Sequence, residues 1–203
     1  MISIYGDYRS GNCYKVQLLL ALLDVHHRWF DIDFFAGETQ TDAFVARNPN
    51  RKIPVLELHD GRTLTESNAI LNYLGRDTVF MPQGPFEYAR MLQWQFFEQY
   101  SHGPNIANAR FIVRYLGRPA ASEEELQARL EGGCKALTVM EKTLAEQDFL
   151  VGEHYTLADI SLYAYTHIAH EGGFDLSAYP SIQAWLARIE SHPRHIPMGP
   201  PAS

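Results

Sequence analysis

The segment "YRSGNCYKV", residues 8–16, places a serine and a cysteine three positions apart, between a short alternating stretch and a longer helical one. Ser10-Gly11-Asn12-Cys13 has the spacing of a C-x-x-C redox motif whose first, attacking cysteine has become serine. Such a site has lost its own nucleophile, but a hydroxyl kept there suits a sulfur brought in by a substrate. A free thiol has a pKa of about 8.5 and is only a few per cent thiolate at neutral pH, so activating it means stabilising the anion. Lowering that pKa by about two units takes ~2.7 kcal/mol of preferential interaction with the thiolate. A hydroxyl donating to a charged acceptor supplies ~1.5 to 3 kcal/mol, and a helix N-terminus adds ~0.3 to 1. Ser10 therefore reads as a neutral donor to a bound thiolate or, taken alone, as a plain N-cap. Cys13, one turn into the helix, reads as small core packing.

Two further stretches bear on the same chemistry. "RKIPVLE" sets Pro54 at the entry of a strand, so that Ile53 can offer its backbone N–H and C=O to an extended peptide. "TESNAI" sets Glu66 and Ser67 at another helix N-terminus, where the Ser67 hydroxyl and backbone N–H groups suit a carboxylate and Glu66 faces an ammonium. An α-amino acid headgroup carries both charges. Each feature also has an ordinary structural meaning, an edge-strand proline and a capped acidic first turn.

The elements that must position these residues follow from periodicity. Residues 2–5 alternate like a strand, residues 12–24 carry Val16, Leu19, Leu20 and Leu23 at helical spacing, and "HHRWFDIDF" alternates again. Strand, helix and strand make a βαβ unit with parallel strands and a right-handed crossover. A short helix capped by Thr41 comes next, then an antiparallel hairpin around "HDG", then a helix that begins at the cap candidate Ser67 and stops at Gly75. The order is β-α-β-α-β-β-α over residues 1–76.

Residues 77–86, "DTVFMPQGPF", show no sustained period and read as a linker. Residues 87–203 form a second, helical domain, with helices expected over roughly 87–116, 122–146, 156–171 and 179–191. In "YTLADI", Thr156 and Asp159 make a capping box, with Tyr155 and Ile160 placed as its hydrophobic staple. The tail from Pro193 cannot continue a helix and reads as extended over the surface or disordered.

Composition sets limits. A formal net charge of −7 with scattered lysine and arginine argues against nucleic acid or an anionic membrane as the main partner. The longest apolar run, "LLLALL", is far short of a bilayer span, and no export signal follows Met1, so the chain reads as cytoplasmic with reduced cysteines. The pairs His167/His170 and His192/His195 have i,i+3 spacing but no completing cysteine or carboxylate, so no metal is expected.

With "SGNCYKV" after the first strand, "NPNRKIPVLE", "LTESNAILNYL" and "FLVGEHYTLADISLYAY", the chain resembles the cytosolic glutathione transferase family over nearly its whole length. The resemblance implies an α+β protein, a thioredoxin-like βαβαββα domain followed by an all-α helical-bundle domain. It also implies that Ser10 is the catalytic hydroxyl, as in serine-type classes resembling theta and zeta, with Asn12 as a competing contact to the thiol. Pro54 should be cis, Ile53 should pair with the cysteinyl backbone of glutathione, and Glu66 and Ser67 should hold its γ-glutamyl end. Lys52 lies where relatives reach toward the glycyl carboxylate. The sequence departs from many relatives in having Thr39 where they carry a histidine for that end.

An electrophile pocket lined by Tyr100, Asn105, Asn108 and Arg110 is implied between the domains. Tyr100 could equally pack in the core and Arg110 make a surface ion pair. Glu98 is a further candidate for reaching a bound ammonium across a dimer interface. The function implied is transfer of glutathione, as co-substrate and without a metal, to a small hydrophobic electrophile by a homodimer. Glutathione-dependent disulfide or peroxide reduction, or non-catalytic glutathione binding, are the alternatives.

Overall fold

The alternating residues at the start of the chain form β1 (Ile2–Gly6), followed by α1 (Gly11–Leu22) and β2 (His27–Asp31), in a computed structural model that describes residues 1–200. β1 and β2 run parallel with Ile4 opposite Trp29, as a strand–helix–strand crossover requires. Thr41 caps the short α2 (Asp42–Val45), its side chain accepting from the Phe44 N–H at 3.3 Å. The hairpin of β3 (Val55–Glu57) and β4 (Thr63–Leu64) completes a mixed sheet of order β2-β1-β3-β4. β3 is antiparallel to both neighbours.

α3 (Ser67–Leu74) follows and ends at Gly75. Its N-cap is Glu66, without a side-chain hydrogen bond, and Ser67 is its first residue. The sequence expects Ser67 as the cap. Its hydroxyl instead meets Lys15 and Asn12 of α1, so a long-range contact has taken the group that a local cap would use.

Ile4, Val16, Leu20, Leu56 and Ile70 make the core around this sheet, with Ile2, Trp29, Leu58, Leu64 and Leu74 packed against it. α1 is buried on nearly every side, Lys15 and Gln17 included. The C-terminal segment contributes to that burial. Tyr14 donates its hydroxyl to the Ile196 carbonyl at 2.7 Å, with His195 Nε2 at 3.2 Å. Gln17 donates to the Gly199 carbonyl at 3.3 Å, and Arg194 to the Leu22 carbonyl at 3.3 Å.

Of the two expectations for the tail, extended over the surface or disordered, the described part follows the first and is docked along α1. Its prolines do stop the last helix, but an extended chain leaves carbonyls to accept from a neighbouring helix. Residues 201–203 of that tail lie outside the described residues. The chain divides into two units, Met1–Asp77 with the segment from Pro193, and Thr78–His192.

The second unit is helical: α4 (Pro85–Phe97), α5 (Gly103–Arg110), α6 (Glu123–Leu144), α7 (Leu157–Thr166) and α8 (Pro180–Glu190). The single helix expected over 87–116 is broken by π-helical turns at Glu98–His102 and Phe111–Tyr115. Pro104 explains the first. Proline lacks the N–H that a regular turn would donate to the Tyr100 carbonyl, and its ring collides with that carbonyl, so the turn widens before it. α5 and α6 approach closely at two glycines. A Cβ at Gly133 would crowd Ile106 of α5 at 3.3 Å and collide with the Phe174 ring, and one at Gly132 would collide with the Asn105 side chain of α5. No helix among the described residues is long and apolar enough to cross a membrane.

The capping box expected at Thr156 is present, and Asp159 does more than close it. Fully buried, it accepts from the Leu150 N–H at 2.9 Å and Trp185 Nε1 at 3.0 Å through one oxygen. Through the other it accepts from the Thr156 N–H at 2.8 Å and hydroxyl at 2.9 Å. Burial pushes its carboxyl up from the ordinary range while these donors pull it down. Asp159→Ala strands several buried donors and removes a cap, and should lower stability by about 3 kcal/mol or more. Urea unfolding should show a lower midpoint with an unchanged slope.

Candidate functional site

The loop between β1 and α1 is held by a short-range clamp. Asp7 is buried and accepts through Oδ1 from the Arg9 N–H at 2.9 Å and Nε at 2.8 Å. Arg9 Nη2 reaches Asp7 Oδ2 at 2.6 Å and Asp33 Oδ1 at 2.8 Å, and the guanidinium lies 4.7 Å from the centre of the Phe35 ring. The hydrogen bond from Arg9 is the main cause holding the Asp33 carboxyl below its usual range. The next residue, Ser10, is therefore delivered from a rigid turn, its N–H donating to the Asp7 carbonyl at 2.9 Å.

Ser10 is the N-cap of α1, in extended backbone (φ −90°, ψ 122°), and its Oγ accepts from the Cys13 N–H at 3.5 Å. Accepting through a lone pair leaves a hydroxyl its one proton to donate. The cap and the donor roles are compatible. Cys13 is fully buried beneath this turn, and burial pushes its thiol up to about 12. A Cβ at Gly6 would come within 3.0 Å of both Cys13 Sγ and the Trp29 ring, so the glycine permits this packing and the packing seals the thiol.

Asn12 turns toward α3, where its Oδ1 accepts from Ser67 Oγ at 3.3 Å, and Lys15 Nζ donates to the same Ser67 Oγ at 3.3 Å. The first turns of α1 and α3 are thus tied together. Glu66, exposed, precedes Ser67 with φ 67° and ψ 111°. A non-glycine residue there stores strain of about 1 to 3 kcal/mol, a cost that recurs at binding sites.

The Ile53–Pro54 bond is cis. Pairing of β3 with β1 begins at Val55, so Ile53 stands outside the ladder. Asn48 builds the turn ahead of it. Its amide donates to the Lys52 carbonyl at 2.6 Å, and its Oδ1 accepts from the Asn50 N–H at 3.0 Å. The Lys52 side chain is exposed, Arg51 donates to Gln40 Oε1 at 3.1 Å, and Thr39 is buried.

In the second unit the expected pocket residues have different surroundings. Tyr100 is 89% exposed in the π-helical turn, and Asn108 is exposed on α5. Asn105 donates to the Ser101 carbonyl at 2.6 Å and abuts Gly132. Arg110 is buried, donating to Glu171 Oε2 at 2.7 Å with its guanidinium 5.1 Å from the Tyr115 ring centre. Glu98 is buried and accepts from Gln99 Nε2 at 2.7 Å. Among the described residues no cluster of three or more histidine, cysteine or carboxylate side chains stands together.

Asp7, Arg9, Asp33, Asn48 and Lys15 are absent from the site expected from sequence. Asp7 and Arg9 carry a local signal, a carboxylate two residues before an arginine in a turn. Asp33 and Lys15 owe their roles to partners far away in the chain, which no local pattern reveals.

Residues 9–77 match the family described as "Glutathione S-transferase, N-terminal domain", and residues 105–193 match "Glutathione S-transferase, C-terminal domain". The chain is 59% identical to a glutathione S-transferase from Pseudomonas fluorescens of known crystal structure, with a TM-score of 0.96 over 97% of this chain and 98% of that one. It is 26% identical, with a TM-score of 0.86 over 95% and 92% of the two chains, to the Phanerochaete chrysosporium transferase URE2P6, crystallised with oxidised glutathione. The Escherichia coli disulfide-bond oxidoreductase YfcG is 30% identical over 95% of this chain and 92% of its own length. Sequence and fold agree: the chain belongs to the glutathione S-transferase family, as a glutathione-transferase-type enzyme.

Proposed function

We propose that this chain conjugates glutathione to small hydrophobic electrophiles, with the glutathione sulfur held as a thiolate by the Ser10 hydroxyl. The observation that carries this reading is Ser10 itself. It caps α1 through a lone pair, which leaves its proton for an incoming anion at a helix N-terminus. The hydroxyl and the helix end together supply the ~2.7 kcal/mol that a two-unit drop in thiol pKa requires.

In the same reading Ile53 pairs with the cysteinyl backbone, and Ser67 and the start of α3 take the γ-glutamyl carboxylate. Glu66 faces the γ-glutamyl ammonium and Lys52 faces the glycyl end. Asn12 stands near enough in sequence to contact the thiol side, although its carbonyl oxygen is engaged by Ser67. Tyr100, Asn105, Asn108 and Arg110 line the electrophile side. The protein works as a cytoplasmic homodimer, with residues 1–76 binding glutathione and 87–203 shaping the second substrate's pocket.

A second reading, glutathione-dependent disulfide reduction, is favoured by the likeness to the Escherichia coli disulfide-bond oxidoreductase. In it the reacting sulfurs are all glutathione's and the substrate's, because Cys13 is buried with its thiol at about 12 and yields no useful thiolate at neutral pH.

Ser10→Ala should keep glutathione affinity by calorimetry within a few-fold, while the rate of conjugation to an aryl halide drops on the order of tenfold to a hundredfold. Ultraviolet titration of the bound thiol should show ionisation below the free value in wild type and not in the variant. An unchanged rate removes Ser10 from its role, and turnover of mixed disulfides without conjugation favours the second reading. Iodoacetamide on the folded protein should label the exposed Cys134 and leave Cys13 unmodified by peptide mapping.

A further inference from the structure

One side chain of α1 takes no part in the proposed conjugation. Lys15 is fully buried, with Nζ 3.3 Å from Ser67 Oγ. Ser67 Oγ in turn donates to Asn12 Oδ1 at 3.3 Å. Asn12 and Lys15 stand three residues apart on α1 and therefore share the face turned to the start of α3. Burying an ammonium carries a desolvation cost that its contacts must offset, and its hydrogen bond to Ser67 should have a consequence at the start of α3.

The donor inventory supplies one. An ammonium has three donors and no acceptor, so Ser67 must receive the Lys15 hydrogen bond on a lone pair. That fixes the hydroxyl's sense, with its single proton directed away from Lys15 toward another acceptor. In this structure the acceptor is the neutral Asn12 amide oxygen. A carboxylate at the α3 N-terminus is a stronger acceptor for the same proton, and the backbone N–H groups of α3 and the Lys15 charge favour it further.

We infer that Lys15 is a positioning residue for recognition of the γ-glutamyl α-carboxylate: it holds the Ser67 hydroxyl as a donor and places a buried positive charge behind it. The inference rests on the proposal that the γ-glutamyl end of glutathione lies at Glu66 and Ser67. Its consequence is selectivity for ligands that carry that carboxylate.

Calorimetry on wild type and Lys15→Met, with glutathione and with γ-aminobutyryl-cysteinyl-glycine, which lacks only that carboxylate, tests this. The substitution should weaken glutathione on the order of tenfold and the decarboxylated analogue by less than about twofold. Equal weakening of both, or of neither, overturns the role. A merely structural lysine would not distinguish the two ligands.

A second measurement avoids substituting the buried residue. The sequence has only four lysines, Lys15, Lys52, Lys135 and Lys142. In protein labelled with 15N-lysine the Lys15 Nζ resonance is therefore assignable by elimination, using Lys52→Arg, Lys135→Arg and Lys142→Arg. It should shift with glutathione and hold still with the analogue; no shift, or the same shift with both, overturns the inference. Wild type that fails to bind glutathione at all sinks the underlying functional reading as well, whereas normal binding with the overturning pattern removes Lys15 alone.

Discussion

The proposed site depends on the backbone N–H groups that a helix leaves unpaired in its first turn. α1 and α3 begin side by side, joined by the contacts of Asn12 and Lys15 with Ser67, so two sets of such donors serve one small region. Each end favours an anion by a modest amount. Their convergence, with a buried ammonium between them, makes a local positive site in a chain whose formal net charge is −7. The acidic balance of the whole argues against large anionic partners without bearing on small ones.

Donors aimed at an anion are useful only if they keep their geometry in its absence. The loop before Ser10 is fixed by Asp7, which grips Arg9 through backbone and side chain, and by Asp33, which holds Arg9 from β2's end of the sheet. Glu66 contributes in a different way, through a backbone conformation unfavourable to a residue with a Cβ. Such strain persists where neighbouring contacts hold the backbone, and Glu66 lies between the hairpin and Ser67, whose hydroxyl α1 engages. The site is preorganised by hydrogen bonds at one helix and by imposed conformation at the other.

Much of this was legible from sequence where the signal is local. The βαβ unit, the hairpin, the Thr41 cap and the Thr156–Asp159 box all depend on residues within a few positions of each other, and all are present. Relations across the chain were not legible. Ser67 looked like a cap because its neighbours permit one, yet its hydroxyl is claimed by a residue 52 positions away. The face of α5 was also beyond reach. The wide turn at Glu98–His102 inserts an extra residue, and each residue rotates a helix face by about 100°. Periodicity read through residues 87–116 as one helix therefore could not tell which of Asn105, Asn108 and Arg110 is exposed, and the structure divides them, Asn108 outward and Arg110 against Glu171.

The fate of Cys13 explains why the proposed site, built around Ser10, would need so many other contacts. The thiol within α1, Cys13, packs beneath Gly6 and beside Trp29 and is pushed up to about 12, so in the proposed reading the thiolate at Ser10 comes from a ligand. One hydroxyl–thiolate hydrogen bond can stabilise that charge but cannot by itself locate a flexible ligand against its loss of rotational and translational freedom. Location must come from parts of the ligand remote from sulfur, and in the proposed reading the backbone at Ile53, which lies outside the strand ladder, and the polar start of α3 serve that purpose. Binding energy gathered there can be used to hold sulfur beside its target. On this logic the loss of an internal nucleophile and the presence of a polar cradle away from it are two sides of one constraint: a protein that borrows its sulfur must hold the molecule that carries it.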